Sequence, residues 1–454
     1  MEFKDRRVLV VGLARSGVAA AALLCRLGAK VTANDSKTQA ELGGALDALS
    51  GLSIDLRLGE AAEGLLAGQD VLVISPGIPY AAPFVQRALS LGIEVIGEVE
   101  LAARVSRSPL IAITGTNGKT TTTTLTGEIF KNAGRRTFVV GNIGDPFAAI
   151  ADEAGPEDRV VCEISSFQCE SMRDYHPHIG AVLNITEDHL NRHGDMRTYV
   201  SMKRRIFQNQ TEQDFAVFNQ DDATCREMSK GLRARTAFFS RSGEVPFGAY
   251  AKEGAVYLRL GEAPQRVCGI DEIRIPGPHN LENALAAALM TGLMGVDAET
   301  IANTLRTFKG VEHRIEFVRE FEGVRYIDDT KGTNVDATQK AVLAMRAPTL
   351  LIAGGSDKNV DFIPLAKTIL ESGVIEKVVL IGQTAEKIAA ALDAVGYKSY
   401  VHEGYSMERA VARCRSEAKK GFNVLLSPAC ASFDMFKNCE QRGDVFKRLV
   451  MELE

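Results

Sequence analysis

Residues 110–130 read LIAITGTNGKTTTTTLTGEIF. An apolar run of the buried-strand type enters a turn holding Gly115 and Gly118, then Lys119 and five consecutive threonines. A phosphate-binding loop is usually written G-x-x-x-x-G-K-[ST]. Gly118-Lys119-Thr120 fits its end, but the place of the first glycine is taken by Ile113 and the nearby glycine is Gly115. The loop physics survives this shortening. The turn opens a helix, KTTTTTLTGEIFKNAG, whose first N–H groups are unpaired and attract phosphate. Lys119 supplies a point charge, and the Thr120 hydroxyl is a magnesium ligand by type. Helix propensity does not favour five threonines at a helix start, so their position points to hydroxyls placed near a ligand. A bare G-x-x-G-K-T is also compatible with a plain strand–turn–helix carrying a surface lysine.

The rest of the chain narrows the choice. Its 454 residues are enough for two to four domains, and 45% hydrophobic with 24% charged content is that of globular domains with full cores. A formal net charge of −5 argues against a general nucleic-acid binder, which needs a basic surface. The eight cysteines form no C-x-x-C pair and read as thiols of a reducing compartment. The start, MEFKDRRVLVVG, enters a strand at once, and no run approaches a membrane span, so the expectation is a cytoplasmic protein without membrane insertion.

Strands alternate with helices nearly throughout, which predicts an α/β chain of parallel sheets covered by helices. RVLVVG, SGVAAAALLCRLGAK and KVTAND form one strand–helix–strand unit, with the helix ending near Gly28. The pattern restarts near residue 97, and again near Val311. Three domains are expected: 1–97, Rossmann-like; 98–310, a parallel mononucleotide-binding sheet with the phosphate loop; and 311–454, Rossmann-like. Residues 211–275 read as more irregular, with short β-like runs such as GAVYLRL. Polar clusters follow the carboxyl ends of the strands, the edge at which open α/β sheets bind ligands.

Read from Gly115 to Thr121, GTNGKTT resembles the nucleotide motif of the Mur ligases, the ATP-dependent amide-forming enzymes of peptidoglycan precursor synthesis. The resemblance spans essentially the whole chain. The ending LLSPACASFDMFKNCEQRG is most similar to the D-glutamate-adding branch of that family. It implies ATP bound by Gly115, Thr116, Asn117, Gly118, Lys119, Thr120 and Thr121. The implied substrates are UDP-N-acetylmuramoyl-L-alanine and D-glutamate, and the implied state is a monomer.

Glu163 ends the strand-like VVCEISSFQ; near a phosphate loop a carboxylate is a magnesium ligand by type. The resemblance assigns it that role and sets Ser165, Ser166 and Gln168 near substrate and metal. His189, in NITEDHLNRHG, and Lys203, in YVSMKRRIF, read by themselves as a packed histidine and a solvated helix face. The resemblance instead puts both at a second Mg²⁺, with Lys203 converted by CO₂ to a carbamate. Carbamate formation needs a neutral amine, which burial or a cationic neighbour favours. His279, Asn280 and Asn283 in GPHNLENA stand at a helix beginning, with Asn280 expected to cap it and Asn283 resembling an adenine contact.

In the last domain, GVEHRIEFV and YIDDTKGTNVDA hold Arg314, Asp328, Asp329, Lys331, Thr333 and Asn334; the resemblance implies Arg314 for the nucleotide and Asp329 for the ribose, with Asp328 as the competing choice. D-glutamate brings two carboxylates, so Lys331, Thr333, Lys358 and Ser432, with Phe433 beside them, are expected to form its pocket. Cys439 stands where an aromatic wall is expected. In the first domain VVGLARSG keeps Gly12 and Gly17 but not G-x-G-x-x-G, a poor match to a dinucleotide fingerprint. The resemblance implies a UDP-sugar site there: Leu13, Arg15 and Ser16 near diphosphate, Asp35 and Lys37 near uridine, Ser75, Pro76 and Gly77 nearby, and Asn142, Gln168 and His189 toward the sugar. Lys37 replaces a frequent arginine, keeping charge but losing the planar fork.

Catalytic roles are thus expected of Lys119, Glu163, His189, Lys203 and Lys331, and metal ligation of Thr120, Glu163, His189 and carbamylated Lys203. Competing classes are a sibling amide ligase with another amino acid or a folate acceptor, a phosphate-loop kinase or switch, and a non-catalytic nucleotide-sugar binder. The clustering of Lys119, Glu163, His189 and Lys331 after strands argues against the last.

Overall fold

The computed structural model describes residues 3–357 and 360–454. The chain forms two compact units, one of Met1–Ile273 with Leu281–Phe308, the other of Arg274–Asn280 with Lys309–Glu454.

Unit 1 holds two sheets. The first is five-stranded and wholly parallel, in the order Ile54–Leu58, Lys30–Asp35, Arg7–Val11, Val71–Ile74, Glu94–Gly97. Its central strands are continuous apolar runs because helices cover both faces. Arg15–Arg26 buries Val18, Ala20, Ala21, Leu23 and Leu24 against one face, and Gly28 at φ +80° turns the chain back toward the next strand.

The second sheet has nine strands. Leu110–Thr114 lies between Arg159–Glu163 and Ile179–Val182, parallel to both, and each of these strands delivers its loop to the same edge. The stretch read as irregular also belongs here. Phe215–Asn219 and Arg235–Ser240 pair in parallel, and Gly248–Lys252, Ala255–Arg259 and Gln265–Gly269 complete the sheet with two antiparallel pairings. The sheet is therefore mixed, not parallel as expected. Strands of five or six residues separated by tight turns carry too little periodicity to show this in sequence.

The two sheets of unit 1 meet through buried acids. Glu98 accepts from the Ala148 amide at 2.6 Å. Glu100 is fully buried and accepts from the amides of Arg173, Asp174 and Tyr175 at 2.8–3.0 Å, and from Arg104 Nε at 2.8 Å. Arg26 makes a two-bond ion pair with Asp152 at 2.8 and 2.9 Å.

Unit 2 has one six-stranded sheet, ordered Glu316–Phe321, Val324–Asp328, Asn423–Leu426, Thr349–Ala353, Ile375–Leu380, Tyr400–His402. All pairings are parallel except the first, a hairpin. Arg274–Asn280, expected with the middle domain, groups with this unit, where Ile275 packs beside Gly310.

Glu100→Ala removes the shared acceptor of three amides and one of the carboxylates paired with Arg104, which keeps Glu94 at 2.9 Å, a loss of about 3 kcal/mol. Differential scanning calorimetry is expected to show the first transition lowered by roughly 6 °C or more; an unchanged transition contradicts this role.

Candidate functional site

The phosphate loop is built as the glycines require. Gly115 has φ +144° and Gly118 φ +83°, both in the region glycine tolerates. A Cβ on Gly118 would lie 2.3 Å from Asn283 Oδ1, so the loop also needs glycine for close approach. The helix begins at Lys119, whose Nζ donates to the Thr116 carbonyl at 2.7 Å, folding the lysine back over its own loop.

The loop is braced by a residue the sequence reading missed. Asn184 Oδ1 accepts from the Asn117 amide at 2.8 Å, and its Nδ2 donates to the Asn117 carbonyl at 2.9 Å. The Thr116 hydroxyl bonds the Thr186 carbonyl at 3.0 Å and lies 3.1 Å from the Tyr199 hydroxyl. The only signal was an asparagine ending the apolar run AVLN.

The threonine run departs from expectation. Thr122, Thr123 and Thr126 are fully buried in the helix packing. Thr126 Oγ1 bonds back to the Thr122 carbonyl at 2.7 Å, and Thr122 Oγ1 donates to Asn283 Oδ1 at 3.1 Å. These hydroxyls serve the helix and its neighbour, and only the first turn, with Thr120 and Thr121, faces the loop. Small β-branched residues let the helix pack closely on the sheet. Asn283, expected at adenine, uses its carbonyl oxygen in this brace.

Lys203 is buried, not on a solvated face. Its Nζ donates to the Gly115 carbonyl at 2.8 Å and to Thr114 Oγ1 at 3.2 Å, and stands 4.8 Å from the Tyr199 ring centre. Burial, with the nearby positive charge of Lys119, pushes its amine down to about 7. A large fraction is therefore the neutral amine at physiological pH.

Glu163 ends its strand opposite Ile113, beside the loop, and is 1% exposed. Oε1 accepts from Asn142 Nδ2 at 2.8 Å; Oε2 is buried without a hydrogen-bond partner. An orphaned carboxylate oxygen next to a phosphate loop fits a cation there. His189 sits at φ +54° before the short helix Leu190–His193, its ring edge-on to Phe167 at 4.8 Å and Nε2 3.6 Å from Asp188 Oδ2. Among the described residues, the three-ligand groupings of His, Cys, Asp and Glu both centre on His313 in unit 2, so no preformed triad joins Glu163 to His189. Magnesium held by phosphates and water needs only one or two carboxylates.

In the first sheet, Asp35 Oδ2 accepts from the Leu13 amide at 2.7 Å and Oδ1 from the Lys37 amide at 2.9 Å. It organises both loops expected to bind UDP. Ser75 Oγ donates to the Gly12 carbonyl at 2.7 Å, and a Cβ on Gly17 would sit 1.8 Å from the same oxygen. Arg15 reaches the Gly144 carbonyl at 2.7 Å, while Ser16 stays half-buried and Lys37 exposed. Gln168 is turned inward: its Oε1 accepts from the Ser165 amide at 2.8 Å, closing a capping box. Ser166 Oγ lies 2.9 Å from His193 Nε2.

In unit 2, Asp328 and Asp329 are both fully buried. Asp328 lies 2.6 Å from His313 Nδ1. Asp329 accepts from Ser427 Oγ at 2.7 Å and from the Ile315 amide at 3.2 Å, with Arg314 3.6 Å away; burial pushes its carboxyl up to about 6. In this structure Asp329 positions Arg314 and presents no open oxygen, which does not match the expected ribose contact. Asn280 lies inside the first turn of the helix Pro278–Leu293, its Nδ2 on the Pro276 carbonyl at 2.8 Å, so it is not the cap that was expected; the helix begins two residues earlier, at Pro278, a residue preorganised for that position.

Buried Arg442, unnoticed within NCEQRG, donates to Thr330 Oγ1 at 2.8 Å, the Thr330 carbonyl at 2.9 Å and the Cys430 carbonyl at 3.1 Å. It ties the Lys331–Thr333 loop to the loop holding Ser432. Lys331's charge reaches Cys439 and Glu440. Ser432 is buried and Phe433 is 74% exposed, so Phe433 forms no wall within this unit. Lys358 lies outside the described residues.

Three family descriptions match the chain: "Mur ligase MurD-like, N-terminal domain" over residues 6–97, "Mur ligase middle domain" over 113–291, and "Mur ligase, glutamate ligase domain" over 313–430. The chain belongs to the Mur ligase family. It is 49% identical over 457 residues to a UDP-N-acetylmuramoylalanine--D-glutamate ligase of Caldanaerobacter subterraneus subsp. tengcongensis, covering 100% of both chains. It is 47% identical over 462 residues to the ligase of the same name from Alkaliphilus metalliredigens, covering 100% of this chain and 99% of that one. A solved pseudomurein peptide ligase type C from Methanothermus fervidus shares the fold, with a TM-score of 0.61 at 19% identity over 99% of this chain and 100% of that one. As a Mur ligase the protein is an ATP-dependent amide-forming enzyme.

Asn184→Ala frees the Asn117 peptide from its clamp. In this Mur ligase the change is expected to weaken ADP binding about tenfold, near 1.4 kcal/mol, by calorimetry. Undiminished affinity removes Asn184 from the loop's support.

Proposed function

We propose that this Mur ligase joins D-glutamate to UDP-N-acetylmuramoyl-L-alanine, with ATP split to ADP and phosphate, as a cytoplasmic monomer that binds neither nucleic acid nor membrane. The observation that carries the chemistry is the phosphate loop with Lys119 folded over it and the buried Lys203 amine on the Gly115 carbonyl. The choice of substrates follows the end-to-end likeness to ligases of that name.

In the proposed course, an oxygen of the L-alanine carboxylate attacks the γ-phosphorus of ATP. The bond to the β-γ bridging oxygen breaks and ADP leaves. The neutral amine of D-glutamate then attacks the acyl carbon, phosphate departs, and the nitrogen gives up a proton as the amide forms. Lys119 offsets charge at the transferring phosphoryl group. Thr120 and Glu163 suit one Mg²⁺, and His189 with carbamylated Lys203 suits a second. When bound, these ions reduce repulsion between the carboxylate and the triphosphate. Leu13, Arg15, Ser16 and the 75–77 loop receive the UDP end, and Asn142 the sugar. In unit 2, Lys331, Thr333 and Ser432 receive the D-glutamate carboxylates, with Arg442 holding their two loops together.

The deciding assay follows phosphate release with UDP-N-acetylmuramoyl-L-alanine, ATP and a panel of amino acids. Release is expected with D-glutamate; release only with L-glutamate on a folate acceptor points to the sibling class, and release without amine to a hydrolase or switch. Lys119→Ala is expected to lower turnover by about 10²–10³ while UDP-substrate affinity, measured calorimetrically, stays within about twofold because that ligand is held elsewhere. Loss of both contradicts this division.

Carbamate formation at Lys203 follows the neutral amine, which grows as pH rises through about 7. At fixed partial pressure of ¹³CO₂, a ¹³C carbamate resonance is expected to gain intensity from pH 6 to pH 8 and to vanish in Lys203→Ala. A signal that falls with pH, or survives the substitution, refutes the assignment.

A further inference from the structure

Two loops given separate tasks above are tied by one side chain. Arg192 lies in the short helix Leu190–His193, directly after the left-handed turn at His189. Its guanidinium donates to the Ile78 carbonyl at 3.0 Å and approaches the carbonyls of Gly77 at 3.4 Å and Pro76 at 3.5 Å. The same group makes a two-bond ion pair with Glu170 at 2.8 and 2.9 Å, and its carbon sits 4.6 Å from the Phe167 ring centre. Glu170 completes the knot by accepting from the Tyr80 amide at 3.2 Å. Arg192 and Glu170 side chains are 15% and 13% exposed, so the pair is shielded from solvent screening.

The second sheet's own segments also hold the His189 turn. Phe167 supports the His189 ring and Ser166 lies against His193. Arg192 alone, in the contacts seen here, carries that turn onto the 76–78 segment of the first sheet. Carbonyls have no charge of their own to attract an arginine strongly. Three converging on one planar fork, whose Nε and Nη2 also donate to Glu170, describe a geometric strut. A shift of the 76–78 backbone moves the guanidinium, and the guanidinium is one residue beyond the neighbour of Leu190 at which the His189 turn ends.

We propose that Arg192 is a positioning residue that couples seating of the UDP-sugar at the 75–78 loop to the placement of His189. It does not touch the reacting atoms; it makes occupancy of the first loop and divalent-cation binding at the His189 turn mutually favourable. By linkage, Mg²⁺ then tightens the UDP-substrate by the factor by which the substrate tightens Mg²⁺. The inference rests on the functional reading above, which puts the UDP-sugar at residues 75–77 and a cation at His189.

The test is calorimetric titration of UDP-N-acetylmuramoyl-L-alanine into the full chain without ATP, with Mg²⁺ and with chelator. The parent is expected to bind at least about fivefold tighter with Mg²⁺. In Arg192→Ala the two affinities are expected to agree within about twofold, with Arg192→Lys between, since a lysine keeps the Glu170 pair but not the fork. Arg26→Ala is the control: it cuts a sheet-to-sheet ion pair, with Asp152, and is expected to leave the Mg²⁺ effect intact. In the metal-free protein, amide exchange of residues 187–194 is expected to slow on substrate binding in the parent and not in Arg192→Ala. A parent indifferent to Mg²⁺, an effect that persists in Arg192→Ala, or one lost equally in Arg26→Ala overturns the inference. A parent that does not bind the UDP-substrate at all overturns the functional reading instead.

Discussion

The Gly115 carbonyl accepts a hydrogen bond from a lysine that has almost no access to water. Burying an ammonium is costly unless it is paired or loses its proton. Among the described residues no carboxylate makes an ion pair with Lys203, and Lys119 adds a second positive charge close by. The cheapest relief is deprotonation, and the amine is left nucleophilic beneath a phosphate loop. The loop conformation, the Tyr199 ring and the Thr114 hydroxyl all serve to hold it there. Chemistry that adds negative charge at this nitrogen, such as carbamate formation, turns an unfavourable burial into a favourable pairing with Lys119.

The same economy recurs around it. Glu163 keeps one oxygen on Asn142 and one unsatisfied, a cost that a cation bound there would relieve. Asn184 spends both ends of its amide on a single peptide unit of the loop, so the loop is rigid before any nucleotide arrives. Preorganised groups of this sort stabilise charge without reorganisation during reaction. In unit 2, Arg442 does for the Lys331 and Ser432 loops what Asn184 does for the phosphate loop, using carbonyl oxygens as its anchors.

Within unit 1 the first and second sheets share one apolar core, and charged groups also reach from one to the other. Glu98, Glu100, Arg26 and Arg192 each reach across. Such contacts are directional, so they fix how the loops of the first sheet stand to the His189 turn. The threonines after Lys119 belong to this packing logic. Most of them are buried; the Thr122 hydroxyl is taken by Asn283, and that of Thr123 is buried without a hydrogen-bond partner.

The sequence by itself determined the α/β class, the glycine-bounded phosphate loop and the family, because these rest on local periodicity, on φ values only glycine tolerates and on contiguous motifs. It did not determine that the middle sheet ends in antiparallel strands, that Asp329 turns inward to Arg314, or that Asn280 lies past the helix start. Nor did it show Asn184, Arg192 and Arg442, which look ordinary in their local strings. Their partners are 67, 114 and 112 residues away. Which polar side chains become buried, and therefore which must find a partner or shed a proton, is decided only when distant segments are packed together.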